Sequence, residues 1–370
     1  MGRPDGPQFG EARLTEYLEE TLLELGLVVQ RQPVSPGREN LVARLDGGAR
    51  VILLDAHQDT VPVEGMTIEP FHPTIRDGRL YGRGACDTKG GMAAMLAAVA
   101  RLARERPPGM PTVVLGFTVN EEYGFTGATA LRRLWTDAPS AIVPRKPDVA
   151  VVAEPTDLDV VVAHKGVVRW KCHTAGRACH SARPEDGENA IYRMARVVEA
   201  AGRYACELRD RSATHPLCGG ATVSVGTIRG GASVNTVPDA CTIEIDSRMP
   251  PGERPEQARD ALIDYVAGIV GPDVAVRHDP PYMLGPAMSD DGNGPLAELV
   301  LGVTGEVAGE HRQRGVPYAT NAALYAATGV PSVVFGPGCI EQAHTADEWI
   351  SLDQVHQAAE IFYRLILNAT

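Results

Sequence analysis

Residues 51–60 of the chain read VILLDAHQDT. The first six of these residues are nearly all apolar, which is typical of a β-strand that is covered on both faces of a sheet. His57 and Asp59 follow directly. Side chains two positions apart in an extended segment point the same way, so we expect these two side chains to act together. The stretch therefore predicts a buried strand that ends in a functional site.

Helices and strands alternate on both sides of this strand. Apolar residues recur at helical spacing over 11–26, and an alanine-rich helix is predicted over 90–105. Largely apolar strands are predicted over 112–120 and 148–155, and a terminal helix over 353–367. Such alternation favours an α/β fold in which a mostly parallel, doubly wound sheet carries helices on both faces.

The pattern changes between residues 166 and 282. Here the order is strand, helix, two alternating strands, helix and strand, which is typical of a small ferredoxin-like α+β layer. The helix–strand alternation returns afterwards. We therefore predict a discontinuous catalytic domain, residues 1–165 and 283–370, with a second domain of residues 166–282 inserted into it.

Composition narrows the function classes. The 370 residues include 35 basic and 47 acidic side chains, a net charge of −12, which argues against nucleic-acid binding. There is no apolar run of about 18 residues and no signal-peptide pattern, so no membrane association is expected. Seven scattered cysteines without a Cys-x-x-Cys pair are typical of reduced thiols. The sequence predicts a cytoplasmic globular protein.

Acidic and histidine residues follow several of the predicted strands, among turn residues. Carboxylates and imidazoles are the ligands that zinc, cobalt and manganese use, and open α/β sheets bind ligands beyond the carboxyl ends of their strands. Each residue alone would be unremarkable, but their coincidence indicates a metal site. The candidates are His57, Asp87, Glu121, Glu122, Glu154 and His344.

Eight segments in order carry a resemblance to a known family. They are HQDTVP, GRGACDTKGGMAA, VNEEYGFTGA, VVAEPT, HSARPEDGENAI, SVNTVPD, EIDSRMPPG and FGPGCIEQAHTADEWI. In this order they resemble the M20 metallopeptidase family, from about residue 11 to the C-terminus. The last segment is most similar to the acetylornithine deacetylase branch of that family.

The resemblance implies an amide hydrolase with two divalent metal ions, zinc or cobalt. By this resemblance, His57 and Glu154 would hold one ion, and Glu122 and His344 would hold the other. Asp87 would bridge the two ions.

The resemblance also implies the catalytic and substrate-binding roles. Glu121 would be the general base, and Asp59 would orient His57. The inserted domain would act as a lid and homodimer surface and would supply His180, which in dimeric members reaches the partner's active site. The residues near the substrate would be Asn235, Arg248, Gly336 and Gly338. Arg248 suits bidentate capture of a carboxylate, although a surface salt bridge remains an alternative.

Several functions stay open at this point. Removal of an N-acyl group from an amino acid is the main hypothesis, with acetylornithine-type deacetylation as the leading case. Desuccinylation of a diaminopimelate precursor, and a dipeptidase or carboxypeptidase activity, are alternatives. A catalytically silent binding protein is the least favoured reading, because Glu121 and all five expected metal ligands are present.

Overall fold

The structure is a computed structural model that describes residues 10–137, 140–211 and 214–369. The chain forms two compact units. The first comprises the described residues of Met1–Ala163, Met288–Gly315 and Thr320–Thr370, and the second comprises His164–Ala287 and Val316–Ala319. The predicted boundaries lie at 166 and 282, and no sequence pattern marked the short segment 316–319.

The elements are given in chain order. The first segment contains α1 (Ala12–Glu24), β1 (Val28–Ser35), β2 (Arg38–Leu45), β3 (Gly48–His57), β4 (Thr74–Arg76), β5 (Arg79–Tyr81), α2 (Gly90–Glu105), β6 (Pro111–Thr118), α3 (Thr126–Thr136), β7 (Val149–Val152) and β8 (Val160–His164). Next come β9 (Gly166–Ala175), α4 (Ala190–Arg211), β10 (Thr222–Gly230), β11 (Ala240–Met249), α5 (Pro255–Val270), β12 (Val276–His278) and β13 (Met283–Gly285). The chain ends with α6 (Gly294–Ala308), β14 (Gln313–Val316), α7 (Ala322–Ala326), β15 (Ser332–Val334), β16 (Trp349–Ser351) and α8 (Leu352–Asn368).

The first unit is built on an eight-stranded sheet with the order β1-β2-β6-β3-β7-β15-β8-β14. Its four central strands, β6, β3, β7 and β15, are parallel. Antiparallel pairs flank them, with β2 against β6 on one side and β8 against β15 on the other. The α/β class is thus confirmed, and the sheet is mixed, with its parallel part confined to the centre.

Both faces of this sheet are covered, which explains the apolar sequence of β3. Ile52 and Leu54 belong to a core that α1, α2, α6 and α8 also line. Leu53 is equally buried on the opposite face. There α3 and α7 pack together, with the Trp135 and Tyr325 rings 5.8 Å apart between centroids. The sheet is therefore doubly wound, as the sequence predicted.

A small three-stranded sheet, β16-β5-β4, was not predicted. Trp349 of β16 pairs with Tyr81 of β5 in antiparallel register. Strands of three residues carry too little periodicity to be recognised from sequence. This pairing brings a segment near the C-terminus beside the turn that carries Asp87.

The second unit is an antiparallel sheet in the order β10-β11-β9-β12, with β13 also paired to β9. β11 alternates buried and half-buried residues, as expected for a sheet with one covered face. Its core contains Trp170, Met194 and Ile243 together with residues of α5. The predicted inserted α+β layer is confirmed, with β13 as an additional strand. In the described residues of both units, no helix has the length and apolar character needed to cross a membrane.

Candidate metal centre

The carboxyl ends of the central parallel strands deliver most of the predicted ligands to one edge of the sheet. His57 is the last residue of β3, and Glu121 and Glu154 follow β6 and β7 within three residues. His344 comes from the longer loop after β15, and Asp87 from the turn between β5 and α2. Parallel neighbouring strands end side by side, so residues far apart in sequence meet here.

Asp87 lies between two imidazoles. Its Oδ1 is 2.9 Å from His57 Nε2, and its Oδ2 is 3.2 Å from His344 Nε2. His57 and Asp87 are buried, whereas the side chain of His344 is 51% exposed. One carboxylate oxygen therefore faces each histidine, which is the arrangement that a bridging ligand requires.

Two further carboxylates complete the cluster. Glu122 Oε2 lies 3.1 Å from His344 Nε2, and Glu154 Oε1 lies 3.9 Å from His57 Nε2. Ligand atoms of His57, Asp87 and Glu122 lie within 4.8 Å of one another, and so do those of His57, Glu121 and Glu154. The structure thus brings together all six residues that the sequence predicted near the metal.

The donor chemistry fits divalent metal ions. Four carboxylates and two imidazoles meet in a largely buried space, and burying so much negative charge is costly unless cations compensate it. Within the described chain, the buried Oε1 of Glu154 has no hydrogen-bond partner. Oxygen and imidazole donors of this kind suit zinc, cobalt or manganese.

The surrounding acids keep both histidines basic. Hydrogen bonds to Asp87 and Glu122 raise the pKa of His344 to about 10. Burial lowers the pKa of His57, but contacts with Asp59 and Asp87 together with the negative charge of Glu154 outweigh burial and leave that pKa well above its usual value. Both imidazoles therefore lie in a field that favours a cation.

The carboxylates titrate in opposite directions. Burial raises the pKa of Glu121 and of Glu154 well above the usual range, and the negative charge of Asp87 adds to this effect. Burial acts to raise the pKa of Asp87, but the hydrogen bonds to the two histidines outweigh burial. The pKa of Asp87 is therefore lower than the usual value for an aspartate. Asp87 is therefore the most firmly ionised acid of the three.

Asp59 does more than the sequence suggested. The closest contact of His57 Nδ1 is the main-chain carbonyl of Asp59, at 2.9 Å, whereas the carboxylate Oδ1 is 3.6 Å away. The carboxylate instead accepts hydrogen bonds from the main-chain N–H groups of Glu121 and Glu122, each at 3.1 Å. Asp59 therefore fixes both His57 and the two consecutive glutamates.

Sequence reasoning missed a partly buried ion pair beside these glutamates. Arg38 is paired with Glu11, and its Nη1 donates to Asn120 Oδ1 at 2.8 Å. Asn120, directly before Glu121, has a left-handed backbone with φ of +62°. Arg38 and Asn120 are 82 positions apart, so no local pattern could have linked them.

The predicted lid residues lie in the second unit. His180 and Asn235 are exposed, and the neighbouring Ser181 N–H donates to the main-chain oxygen of Asn235 at 3.0 Å. Arg248 donates through Nε and Nη2 to the two oxygens of Asp246, at 2.6 and 3.0 Å. The substrate roles of these residues stay predictions.

Gly336 and Gly338 are glycines for reasons of space. A Cβ on Gly336 would lie 2.7 Å from the main-chain oxygen of Glu154, and one on Gly338 would lie 2.7 Å from Cys86 Sγ. Their N–H groups already donate to Thr156 Oγ1 and Gln354 Oε1. Contact of this loop with a substrate also stays a prediction.

Comparison with known proteins agrees with this geometry. The model of peptidase family M20/M25/M40 matches residues 53–368. The chain is 30% identical over 369 residues to acetylornithine deacetylase from Myxococcus xanthus, which covers 96% of this chain and 91% of the relative. It is 32% identical to acetylornithine deacetylase from Proteus mirabilis, covering 96% and 89%.

Solved structures share the fold. An M20 family metallo-carboxypeptidase from Sulfolobus solfataricus superposes with a TM-score of 0.77 at 18% identity, covering 96% of this chain and 93% of the other. The YXEP protein of Bacillus subtilis, described as a dinuclear metal-binding M20 peptidase, gives 0.65 at 19% identity, covering 97% and 92%. Together with the family match, these likenesses show that the chain belongs to peptidase family M20/M25/M40 and is a metal-dependent hydrolase of amide bonds.

Proposed function

We propose that this enzyme removes the N-acyl group from an amino acid, with N-acetylornithine as the leading substrate. The observation that carries the proposal is the position of Asp87 between two histidines, with the buried Glu121 beside them. The full-length likeness to acetylornithine deacetylases supports the choice of substrate.

Five side chains would hold two ions, zinc or cobalt. His57 and Glu154 would bind one, Glu122 and His344 the other, and Asp87 both. When bound, such ions lower the pKa of water toward about 7 and polarise an amide carbonyl. The three carboxylates would offset most of the added positive charge.

Glu121 would move the proton. Its carboxylate would take a proton from the attacking water and pass it to the nitrogen of the leaving amine. Glu121 is buried and lies with His57 and Glu154 in one cluster, so its carboxylate is placed close to the ions that would hold the water. A positioned base of this kind typically contributes about 10²–10⁴-fold in rate.

The second unit would bind the substrate. The main-chain N–H of Ala182 donates to His180 Nδ1 at 3.1 Å, so neutral His180 carries its proton on Nε2. That N–H would donate to the oxyanion that develops on the acyl carbon. Asn235 would contact the acyl oxygen. Arg248 uses Nε and Nη2 on Asp246, and its Nη1 would bind the substrate carboxylate.

A homodimer through the second unit and a cytoplasmic location belong to the same proposal. In such a dimer His180 would come from the partner. Size-exclusion chromatography with light scattering would measure the mass against 39.4 kDa for one chain.

The test is substrate-resolved turnover of the cobalt- or zinc-loaded enzyme. The panel contains N-acetylornithine, N-succinyl-diaminopimelate, other N-acetyl amino acids and several dipeptides. A preference for N-acetylornithine that is lost on chelation supports the proposal. A preference for dipeptides would replace the deacylase by a peptidase and leave the metal-dependent hydrolase in place.

A further inference from the structure

The carboxylate of Glu348 is fully buried and accepts hydrogen bonds from one short segment of chain. Gly84 N–H donates to Oε2 at 2.9 Å, and the N–H groups of Cys86 and Asp87 donate to Oε1 at 2.9 and 3.0 Å. Arg83 Nη1 donates to Oε2 at 2.6 Å. Four donors thus converge on one carboxylate, and one of them is the main-chain N–H of Asp87.

The small sheet determines this placement. Glu348 directly precedes β16, and β5 directly precedes the segment 82–87. The strands pair, and the ladder continues as Gly82 N–H donates to the main-chain oxygen of Glu348 at 3.0 Å. The side chain of Glu348 therefore enters the turn that follows β5.

The turn needs an acceptor at this point. Gly84 has a φ of +80°, and Asp87 has φ and ψ of −116° and 91°, so the segment does not continue as a regular helix. Its N–H groups are buried, and an unpaired buried N–H is costly. A carboxylate offers acceptor sites on both oxygens, which an amide side chain does not.

We propose that Glu348 is a positioning residue for Asp87. It holds the main chain of residues 84–87 so that the two oxygens of Asp87 face His57 and His344. It also ties this turn to the segment that carries His344, four residues before Glu348. The inference rests on the proposed function only in taking Asp87 as a metal ligand.

A purely structural role makes a different prediction. If Glu348 served only as the partner of Arg83, loss of either residue would destabilise the fold, and metal affinity would not change. If Glu348 positions Asp87 through the three main-chain hydrogen bonds, metal affinity falls when Glu348 changes. In that case, metal affinity changes little when Arg83 is replaced by another positively charged residue.

The experiment uses the full chain and Co²⁺ as the probe. In Glu348→Gln, one oxygen becomes an NH₂ group that opposes a main-chain N–H or the guanidinium. We expect the dissociation constant for Co²⁺ to increase about 10–100-fold, as for other residues that orient metal ligands. We also expect the visible absorption spectrum of bound Co²⁺ to change. For turnover, we expect kcat to fall more than KM rises.

The matched control is Asp148→Asn. Asp148 also bonds a main-chain N–H, that of Val51 at 2.7 Å, and an arginine, Arg145. Val51 lies six residues before His57 on β3, so about 20 Å separates them along the strand. This variant should bind Co²⁺ as the wild type does. Arg83→Lys should weaken Co²⁺ binding less than threefold.

Glu348→Asp provides a second variant in case the glutamine protein does not fold. It keeps the charge but shortens the side chain by about 1.5 Å, so it cannot reach all the donors. Unchanged Co²⁺ affinity and spectrum in the folded Gln or Asp variant would overturn the inference. Weakened Co²⁺ binding supports it even if N-acetylornithine is not the substrate, because this readout needs no substrate.

Discussion

The pKa values of histidines shift in opposite directions in the two compact units. In the first unit, Asp87 and Glu122 raise the pKa of His344 to about 10, and Asp87 together with other nearby acids outweighs the burial of His57. In the second unit, burial lowers the pKa of His164 and of His278 to about 4. One residue type thus serves two purposes in one chain.

The neighbours explain the difference. His57 and His344 are surrounded by carboxylates, and such a field attracts cations. At His164 and His278 no such field offsets burial, which is the main cause of their lowered pKa values, and the positive charges of Arg248 and Arg259 lower those values further. The sequence around a histidine therefore says less about metal binding than the charges that the fold brings to it.

Among the four test variants, Glu121→Gln should have the largest effect on activity. We expect kcat to fall about 10²–10⁴-fold, because the proton acceptor is lost, while the bound metal content stays unchanged. Steady-state kinetics and elemental analysis measure the two quantities. Glu20→Gln, at an exposed position of α1, makes the same charge change and should leave both unaltered. Metal loss in proportion to activity would show that Glu121 is a ligand with His57 and Glu154.

His180→Ala tests whether the second unit takes part in chemistry. Loss of one oxyanion donor should lower kcat about 10²–10³-fold, with metal content unchanged. His356→Ala replaces an exposed histidine of α8 and should have no effect. Wild-type kcat in His180→Ala would remove this residue from the mechanism.

The neutral histidines make the second unit acid-sensitive. The unfolded chain binds a proton at His164 below about pH 6.5, whereas the folded chain does so only near pH 4. The stability is therefore complete above pH 6.5 and falls as the pH drops toward 4, by about 3 kcal/mol for this residue.

Urea unfolding at pH 7, 5.5 and 4 measures this loss. Fluorescence of Trp170 reports on the second unit when Trp135 and Trp349 are replaced by Phe. In His164→Gln the decline with falling pH should be smaller by the contribution of His164. An identical decline in the variant and the parent protein would refute the assignment.

Asp59→Asn should have the smallest effect of the four. The amide keeps one acceptor for the N–H groups of Glu121 and Glu122 but turns an NH₂ toward the other. We expect metal affinity to fall about 10–100-fold, measured by Co²⁺ titration. Asp46→Asn, at an exposed position, is the control. Unchanged Co²⁺ affinity would mean that the main-chain carbonyl of Asp59 is sufficient to orient His57 and that the carboxylate is not needed.

Strong local patterns made much of the fold predictable. The bounds of α2 agree with the helix predicted over 90–105, and the buried β3 follows from its apolar run. The candidate metal ligands could be named because their segments resemble a family. The contact between Arg248 and Asp246 was also foreseeable, because residues two apart in a strand share a face.

Other features depended on tertiary structure. β5 and β16 are three residues long and pair across more than 260 positions, so neither signals the other. Glu348 reads as one more acid in a polar loop until that pairing buries it against the turn of Asp87. Arg38 likewise acquires its role only when β2 lies near Asn120.

The position of β15 between β7 and β8 has a consequence for synthesis on the ribosome. Roughly 170 residues separate β8 from β15 in the chain. At a synthesis rate of about 5–20 residues per second, β15 is therefore made on the order of ten to thirty seconds after β8. During that time β7 and β8 expose unpaired edges, which favour aggregation. His344 follows β15 in the chain, so the nascent chain acquires its full set of candidate metal ligands only after β15 has been synthesised.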